Sequence, residues 1–299
     1  MQTVAVPGGR VAYDSAGRGP AVVFSHASLT DRRMWRYQFD ALATGYRVVA
    51  FDRLGYGQSS PAPPAVRHGA GVLEVLDALG IERAVLVGSS MGGGYSLDAA
   101  LLAPDRVRAL ALICPGVPGY EWPAEMRAEV LPLLHAAVPA DRLAAYAAHA
   151  ADAVRDDDVR AMATMQLRYM AVGARGSESM FSAEAWALLQ DMARGVFARG
   201  WGEPETTETA PEPPVLGRLR DVRVPTLVMN GGHDVRFIQD LVRQVANGIP
   251  GAQLLELPEA GHLPPVECPE VVTSALATFL DGLLLDDPLL DDPLLDDPA

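Results

Sequence analysis

The pentapeptide Gly88-Ser89-Ser90-Met91-Gly92 places a serine where a short apolar run, Ala84–Val87, passes into a helical pattern. A hydroxyl on so sharp a strand-to-helix turn stands clear of the backbone, but the positions two before and two after it come too close for side chains. Centred on Ser90, those positions are Gly88 and Gly92; centred on Ser89 they would be Val87 and Met91, so Ser90 is the candidate nucleophile. A serine hydroxyl needs a base near neutral pH, and a histidine base needs a carboxylate to fix its tautomer and stabilise the imidazolium. His262 follows the strand-like run Leu254–Leu257, and Asp234 follows Thr226–Met229 through a Gly-rich turn. Both therefore stand at strand ends, where reactive groups collect in open α/β sheets. His68, His135 and His149 fall inside helical patterns, which suits surface or lid positions better than catalysis. Met91, at the start of the helix after Ser90, offers a backbone N–H to an oxyanion, aided by the helix dipole. The chemistry these types and spacings predict is nucleophilic acyl transfer.

The elements that must position them alternate. Apolar, β-branched runs at Val11–Tyr13, Ala21–Phe24, Tyr46–Phe51, Ala84–Val87, Ala109–Cys114, Thr226–Met229 and Leu254–Leu257 read as buried strands. Helical spacing recurs between several of them, at Met34–Leu42, Val72–Leu79, Ser96–Leu102 and Phe237–Val245. Alternation predicts an α/β fold, a mostly parallel sheet with helices on both faces. It breaks between residues 116 and 222, where four Ala-, Leu- and Met-rich helical patterns (123–137, 140–154, 158–172, 183–199) occur without a convincing strand. We read residues 1–115 and 223–283 as the two parts of the sheet and 116–222 as an inserted helical lid. The lid ends in Gly202–Pro214, whose Pro, Thr and Glu content suits an exposed tether. Its tryptophans, Trp122, Trp186 and Trp201, are expected mainly to pack the lid, a minority lining an apolar acyl pocket. Residues 284–299 carry LLDDP three times, a period too short for a solenoid, and read as a disordered acidic tail.

Composition narrows the field further. All 24 basic residues are arginine, so chemistry that needs a P-loop, Schiff-base or kinase lysine is excluded. The net charge of −14 argues against nucleic-acid and anionic-membrane partners; six of the 38 carboxylates lie in the tail repeat, leaving −8 for the rest. Cys114 and Cys268 are far apart and form no metal-binding spacing; Cys114 reads as a small buried hydrophobe. His233-Asp234 lacks a third ligand at useful spacing, and Gly55-x-Gly57 lacks the rest of a dinucleotide signature. No metal and no cofactor is expected. The N-terminus shows no basic region followed by an apolar one, and no run of 18 apolar residues occurs, which points to a cytoplasmic protein.

The order nucleophile, acid, base, with the His26 turn after Ala21–Phe24, Asp52-Arg53-Leu54-Gly55-Tyr56-Gly57-Gln58-Ser59, the Ser90 turn and Gly261-His262, resembles the α/β-hydrolase superfamily over about residues 1–283. The resemblance implies an eight-stranded sheet with the lid inserted after the sixth strand. It also implies a second oxyanion donor from the His26-Ala27-Ser28 turn, assigned to the Ser28 N–H with Ala27 as the alternative. His26 is then a structural member of that turn, and Asp52 pins the Gly-rich turn behind it. Serine at the elbow sets the chain apart from the epoxide hydrolase and haloalkane dehalogenase branches, which use Asp there. Leu29–Trp35 looks like the equivalent turn of 3-oxoadipate enol-lactonases and related small-ester hydrolases. The expected activity is hydrolysis of a small apolar ester, lactone or thioester. Carbon–carbon hydrolysis, lyase or cyclase chemistry on the same fold and non-catalytic binding of a small molecule are the alternatives. The oligomeric state is left open.

Overall fold

The computed structural model describes residues 1–173 and 176–286, with side chains through Leu283. Among the described residues ten strands form: β1 Gln2–Val6, β2 Gly9–Ala16, β3 Ala21–Ser25, β4 Arg47–Phe51, β5 Ala65–Val66, β6 Ala84–Ser89, β7 Val107–Ile113, β8 Thr207–Glu208, β9 Thr226–Gly231 and β10 Gln253–Leu257. Eight of them make one sheet in the order β1-β2-β4-β3-β6-β7-β9-β10. The β1–β2 and β2–β4 pairs are antiparallel and all the others parallel. β3, β6 and β9 are buried along their whole length, which is why they read as continuous apolar runs rather than alternating ones.

Ten α-helices among the described residues accompany the strands: α1 Arg36–Leu42, α2 His68–Ala78, α3 Met91–Leu102, α4 Ala124–Ala137, α5 Ala140–Ala147, α6 Asp156–Leu167, α7 Ala183–Gly202, α8 Arg236–Gly248, α9 Pro264–Glu267 and α10 Pro269–Asp286. Alternate strand residues feed two cores. Val22, Phe24, Val85 and Val87 pack with Trp35, Leu42, Leu276 and the lid residues Leu167, Leu189 and Met192. Val23, Leu86 and Val228 face the other way, against Val75, Leu97, Leu241 and Val245 of α2, α3 and α8. In α8 the apolar positions 238, 241, 242 and 245 make one stripe, buried throughout.

The helical block α4–α7 lies between β7, the sixth strand of the large sheet, and β9. Two lid helices differ from the sequence expectation. α5 ends at Ala147, just before His149 adopts a left-handed φ of 48°. The third pattern divides into α6 and a single wider turn at Arg168–Val172. The Gly202–Pro214 segment is mostly exposed but not loose: β8 pairs in parallel with β5, and the Tyr95 hydroxyl donates to Glu208 Oε2 at 2.9 Å. Of the acidic repeat, only the backbone of residues 284–286 is described, as the end of α10, and the expected disordered tail otherwise lies outside the described residues. No helix among the described residues is long and apolar enough to cross a membrane.

Candidate active site

Ser90 sits between β6 and α3 with φ 54° and ψ −128°, a conformation that costs a non-glycine residue on the order of 1–3 kcal/mol. The turn is held from several sides. Ser90 N–H donates to Ile113 O at 2.9 Å, while Ser90 O accepts from Gly93, Gly94 and Gly116 N–H at 2.9–3.2 Å. A Cβ on Gly88 would collide with the Gly92 carbonyl, and one on Gly92 would strike the carbonyl oxygens of Ser25 and His26. The two flanking glycines are thus required by contact as well as by the turn itself.

Asp234 and His262 come from neighbouring loops at the ends of β9 and β10, which approach closely because Gly231 and Gly232 carry no side chain. The loops are stitched by Gly232 N–H to Leu257 O at 2.9 Å and His233 N–H to Ala260 O at 2.8 Å. Asp234 Oδ1 accepts from Val235 N–H at 2.6 Å and its Oδ2 lies 2.7 Å from His262 Nδ1. His262 Nε2 lies 2.8 Å from Ser90 Oγ. All three residues are buried. Burial opposes the imidazolium, but the charge and hydrogen bond of Asp234, joined by the charge of Glu267, outweigh it, so the pKa of His262 is raised. A proton taken from Ser90 Oγ would arrive on a ring nitrogen whose charged form is already favoured.

The Met91 and Ser28 N–H groups have no hydrogen-bond partner among the described residues. Ala27 N–H donates to Met34 Sδ at 3.4 Å, so of the two alternatives in that turn it is Ser28 whose amide stays open. The turn lies against the first turn of α3, since Gly92 abuts His26 O. His26 is wholly buried, and its pKa is driven well down by burial and by the charge of Arg53. As a neutral ring it lies 2.7 Å from Ala27 O through Nδ1, and its Nε2 accepts from Arg53 N–H at 3.2 Å. Asp52 fastens two turns at once: Oδ1 accepts from Arg32 N–H at 2.8 Å, and Oδ2 accepts from Gln58 N–H at 2.8 Å while pairing with Arg32 Nη1 at 2.5 Å.

Cys114, Asp234 and His262 each bring one potential ligand atom within 4.8 Å of the others. Burial first, then the charge of Asp234, pushes the Cys114 thiol well up, and the facing atoms of Asp234 and His262 already bond each other, so the donors suit a hydrogen-bonded site rather than a metal centre. His68, expected at the surface or in the lid, is instead buried at the first residue of α2 between the rings of Tyr56 and Tyr95. Burial and the charge of Arg53 hold its pKa down at about 3. Its burial follows from the Tyr56 and Tyr95 rings that flank it, which helical spacing alone does not reveal. The sequence reading also missed Glu267, which bonds the residues on either side of His262.

A cavity of about 1140 Å³ opens between α4, α6 and the Gly232–Gln239 segment. It reaches Asp234, but neither Ser90 nor His262 lines it. Most lid aromatics pack within the lid or onto the sheet, with Trp201 stacked 4.7 Å from Tyr146 and Trp186 5.5 Å from Phe181.

Comparison with known proteins places this geometry. The chain is 44% identical over 114 residues to the dihydrolipoyllysine-residue acetyltransferase component of the acetoin cleaving system of Cupriavidus necator, a match covering 37% of this chain and 30% of that protein. The chain thus spans under a third of that relative's length. It is 27% identical over 277 residues to the carboxylesterase YbfK of Bacillus subtilis, covering 88% of this chain and 81% of the relative. The enol-lactonase of Burkholderia xenovorans LB400 superposes with a TM-score of 0.69 at 23% identity, covering 94% of this chain and all of that one. The family profile described as the alpha/beta hydrolase fold matches residues 20–269, and the chain belongs to that enzyme family.

Proposed function

We propose that the protein hydrolyses a small apolar ester, lactone or thioester through an acyl-enzyme on Ser90. The observation that carries the reading is the unbroken chain Ser90 Oγ, His262 Nε2, His262 Nδ1, Asp234 Oδ2, with separations of 2.8 and 2.7 Å. In this reading His262 takes the Ser90 proton as Oγ attacks the carbonyl carbon, and Asp234 holds the ring with Nδ1 protonated and offsets its charge. The tetrahedral oxyanion is received by the Met91 and Ser28 N–H groups, the first of them at the positive end of α3. His262 then protonates the leaving group, and a water activated by the same ring releases the acid. Similarity to a carboxylesterase over most of the chain supports this substrate class. The partial likeness to epoxide hydrolases, 44% over 100 residues of that from Caballeronia sordidicola, does not extend to their chemistry in this reading, because the elbow residue is Ser90 rather than an aspartate.

The test is intact-mass analysis after treatment with a fluorophosphonate, on wild type and Ser90→Ala. One adduct on the wild type and none on the variant is expected. A well-folded wild type that takes no adduct, or an adduct that persists in Ser90→Ala, overturns the reading and favours a non-catalytic binding protein or a different nucleophile.

A further inference from the structure

One carboxylate beside the site plays no part in the steps above. Glu267 closes the one-turn helix α9, and its two oxygens turn back on the loop that carries His262. Oε1 accepts from Leu263 N–H at 2.6 Å and Oε2 accepts from Gly261 N–H, so both neighbours of the base are held by one side chain. Gly261 permits this approach: a Cβ there would strike Ala171 O and come within 3.3 Å of Glu267 Oε1. We propose that Glu267 is the positioning residue for His262, a two-point clamp that aims the ring between Ser90 and Asp234 only while both carboxylate oxygens can accept. The proposal rests on the acyl-transfer reading for its kinetic consequence, though not for the clamp itself.

The clamp is also chargeable in the working range. Burial first, opposed by its two backbone hydrogen bonds and reinforced by the charge of Asp234, pushes the Glu267 carboxyl up to about 7. The ionisable groups facing it are Asp234 after β9, Cys114 after β7 and, on its own segment, His262 and Cys268. The arginines of the Arg32–Arg36 segment beneath α9 are engaged elsewhere, Arg32 with Asp14 and Asp52, Arg33 with Asp31 and Asp191, Arg36 with Glu184. Glu270 on α10 is exposed. Protonation turns one oxygen into a donor facing an N–H donor, so one of the two bonds is lost, and it removes a charge that favours the His262 imidazolium. Activity then requires two deprotonated groups, His262 as base and Glu267 as clamp, and the acidic limb of kcat/KM should be steeper than a single-proton titration.

The test uses the full chain, wild type, Glu267→Gln and Glu267→Asp, with p-nitrophenyl acetate as probe. Glutamine presents one acceptor and one donor to two N–H groups. We expect kcat to fall roughly 10–100-fold in Glu267→Gln, the range for displaced supporting groups, with KM changed by less than about threefold. The acidic limb should drop to a one-proton slope in Glu267→Gln and stay steeper than one proton in the wild type and Glu267→Asp. Backbone hydrogen exchange at Gly261 and Leu263 should speed up in Glu267→Gln, whether or not the protein turns over esters. Faster exchange without any esterase activity in the wild type would leave the clamp standing and sink the functional reading. A one-proton limb in the wild type overturns the proposal without any variant, and so does a Glu267→Gln protein with kcat within about twofold and unchanged exchange.

Discussion

The outer lid layer, α4 and α5, and the sheet below it are built to different standards. No α4 side chain is buried and α5 buries only Tyr146, whereas every residue of β3, β6 and β9 is buried. The outer layer meets α6 in a small core of Val138, Tyr146 and Met162, reinforced by Arg142 and the Tyr146 hydroxyl on Asp158 at 2.8–2.9 Å. α6 and α7 also share the sheet's core, through Leu167, Leu189 and Met192. The three residues of the candidate site all stand on sheet ends, locked by backbone bonds and missing Cβ atoms. Their geometry therefore belongs to the most tightly packed part of the molecule, while α4 and α5 bury a single side chain between them.

The comparison breaks at once if the sheet-borne site tolerates change. Ser90→Ala and His262→Ala are each expected to lower kcat by at least about 10³-fold, with the double variant scarcely worse, because members of such a unit do not act independently. Multiplicative losses would separate the two residues mechanistically. A smaller effect is expected one step from the chemistry. Gly92→Ala sets a Cβ against the Ser25 and His26 carbonyls, and because both belong to packed backbone with no room to yield, it should cost about 3 kcal/mol. Chemical denaturation reads this directly, and a Gly92→Ala protein as stable as wild type would show that the elbow is looser than its contacts imply.

Much of this site could be read without coordinates, for a physical reason. The elbow imposes steric demands on Gly88 and Gly92, and the acid and base each follow an apolar run, although only the run before Asp234 forms a buried strand, β9, while Leu254–Leu257 lies in the largely exposed edge strand β10. Hidden from sequence were contacts made across the fold. Glu267 follows Pro264-Pro265 with no periodicity to mark it, and its role exists only because α9 folds back onto Gly261 and Leu263. Arg53 likewise reads as part of a Gly-rich turn, yet it is buried over the Tyr56 and Tyr95 rings and donates to His26 O. In the fold, β1 stands outside the expected strands, its five residues being largely exposed with Val4–Val6 the one short apolar stretch, and helical spacing in α3 is visible only from Ser96 because Gly92-Gly93-Gly94 obscures it. The lid helices were visible as patterns, but which of them joins the sheet's core was not. That depends on where Leu189 and Met192 land, and no local signal carries it.

An exposed ion pair between α4 and α8 gives the finest test of the contrast. Glu129 on α4 and Arg236 at the start of α8, both lining the 1140 Å³ cavity, meet at 2.6 Å with side chains 47% and 64% exposed. A pair so open to water contributes little, so Glu129→Gln should change unfolding free energy by less than about 0.5 kcal/mol. Its consequence should fall on access rather than on chemistry, because the bond joins the outer lid to the segment beside Asp234 without touching Ser90, His262 or Glu267. Hydrogen exchange in residues 124–147 should rise, KM should move by a few-fold at most, and kcat should hold at saturating substrate. Raising salt in the wild type should reproduce the change, since screening weakens an exposed pair and leaves the buried Asp234–His262 bond largely intact. A fall in kcat matching that of Glu267→Gln would mean instead that the outer lid helps aim the base, and the division between a fixed site and an adjustable cover would have to be redrawn at α8.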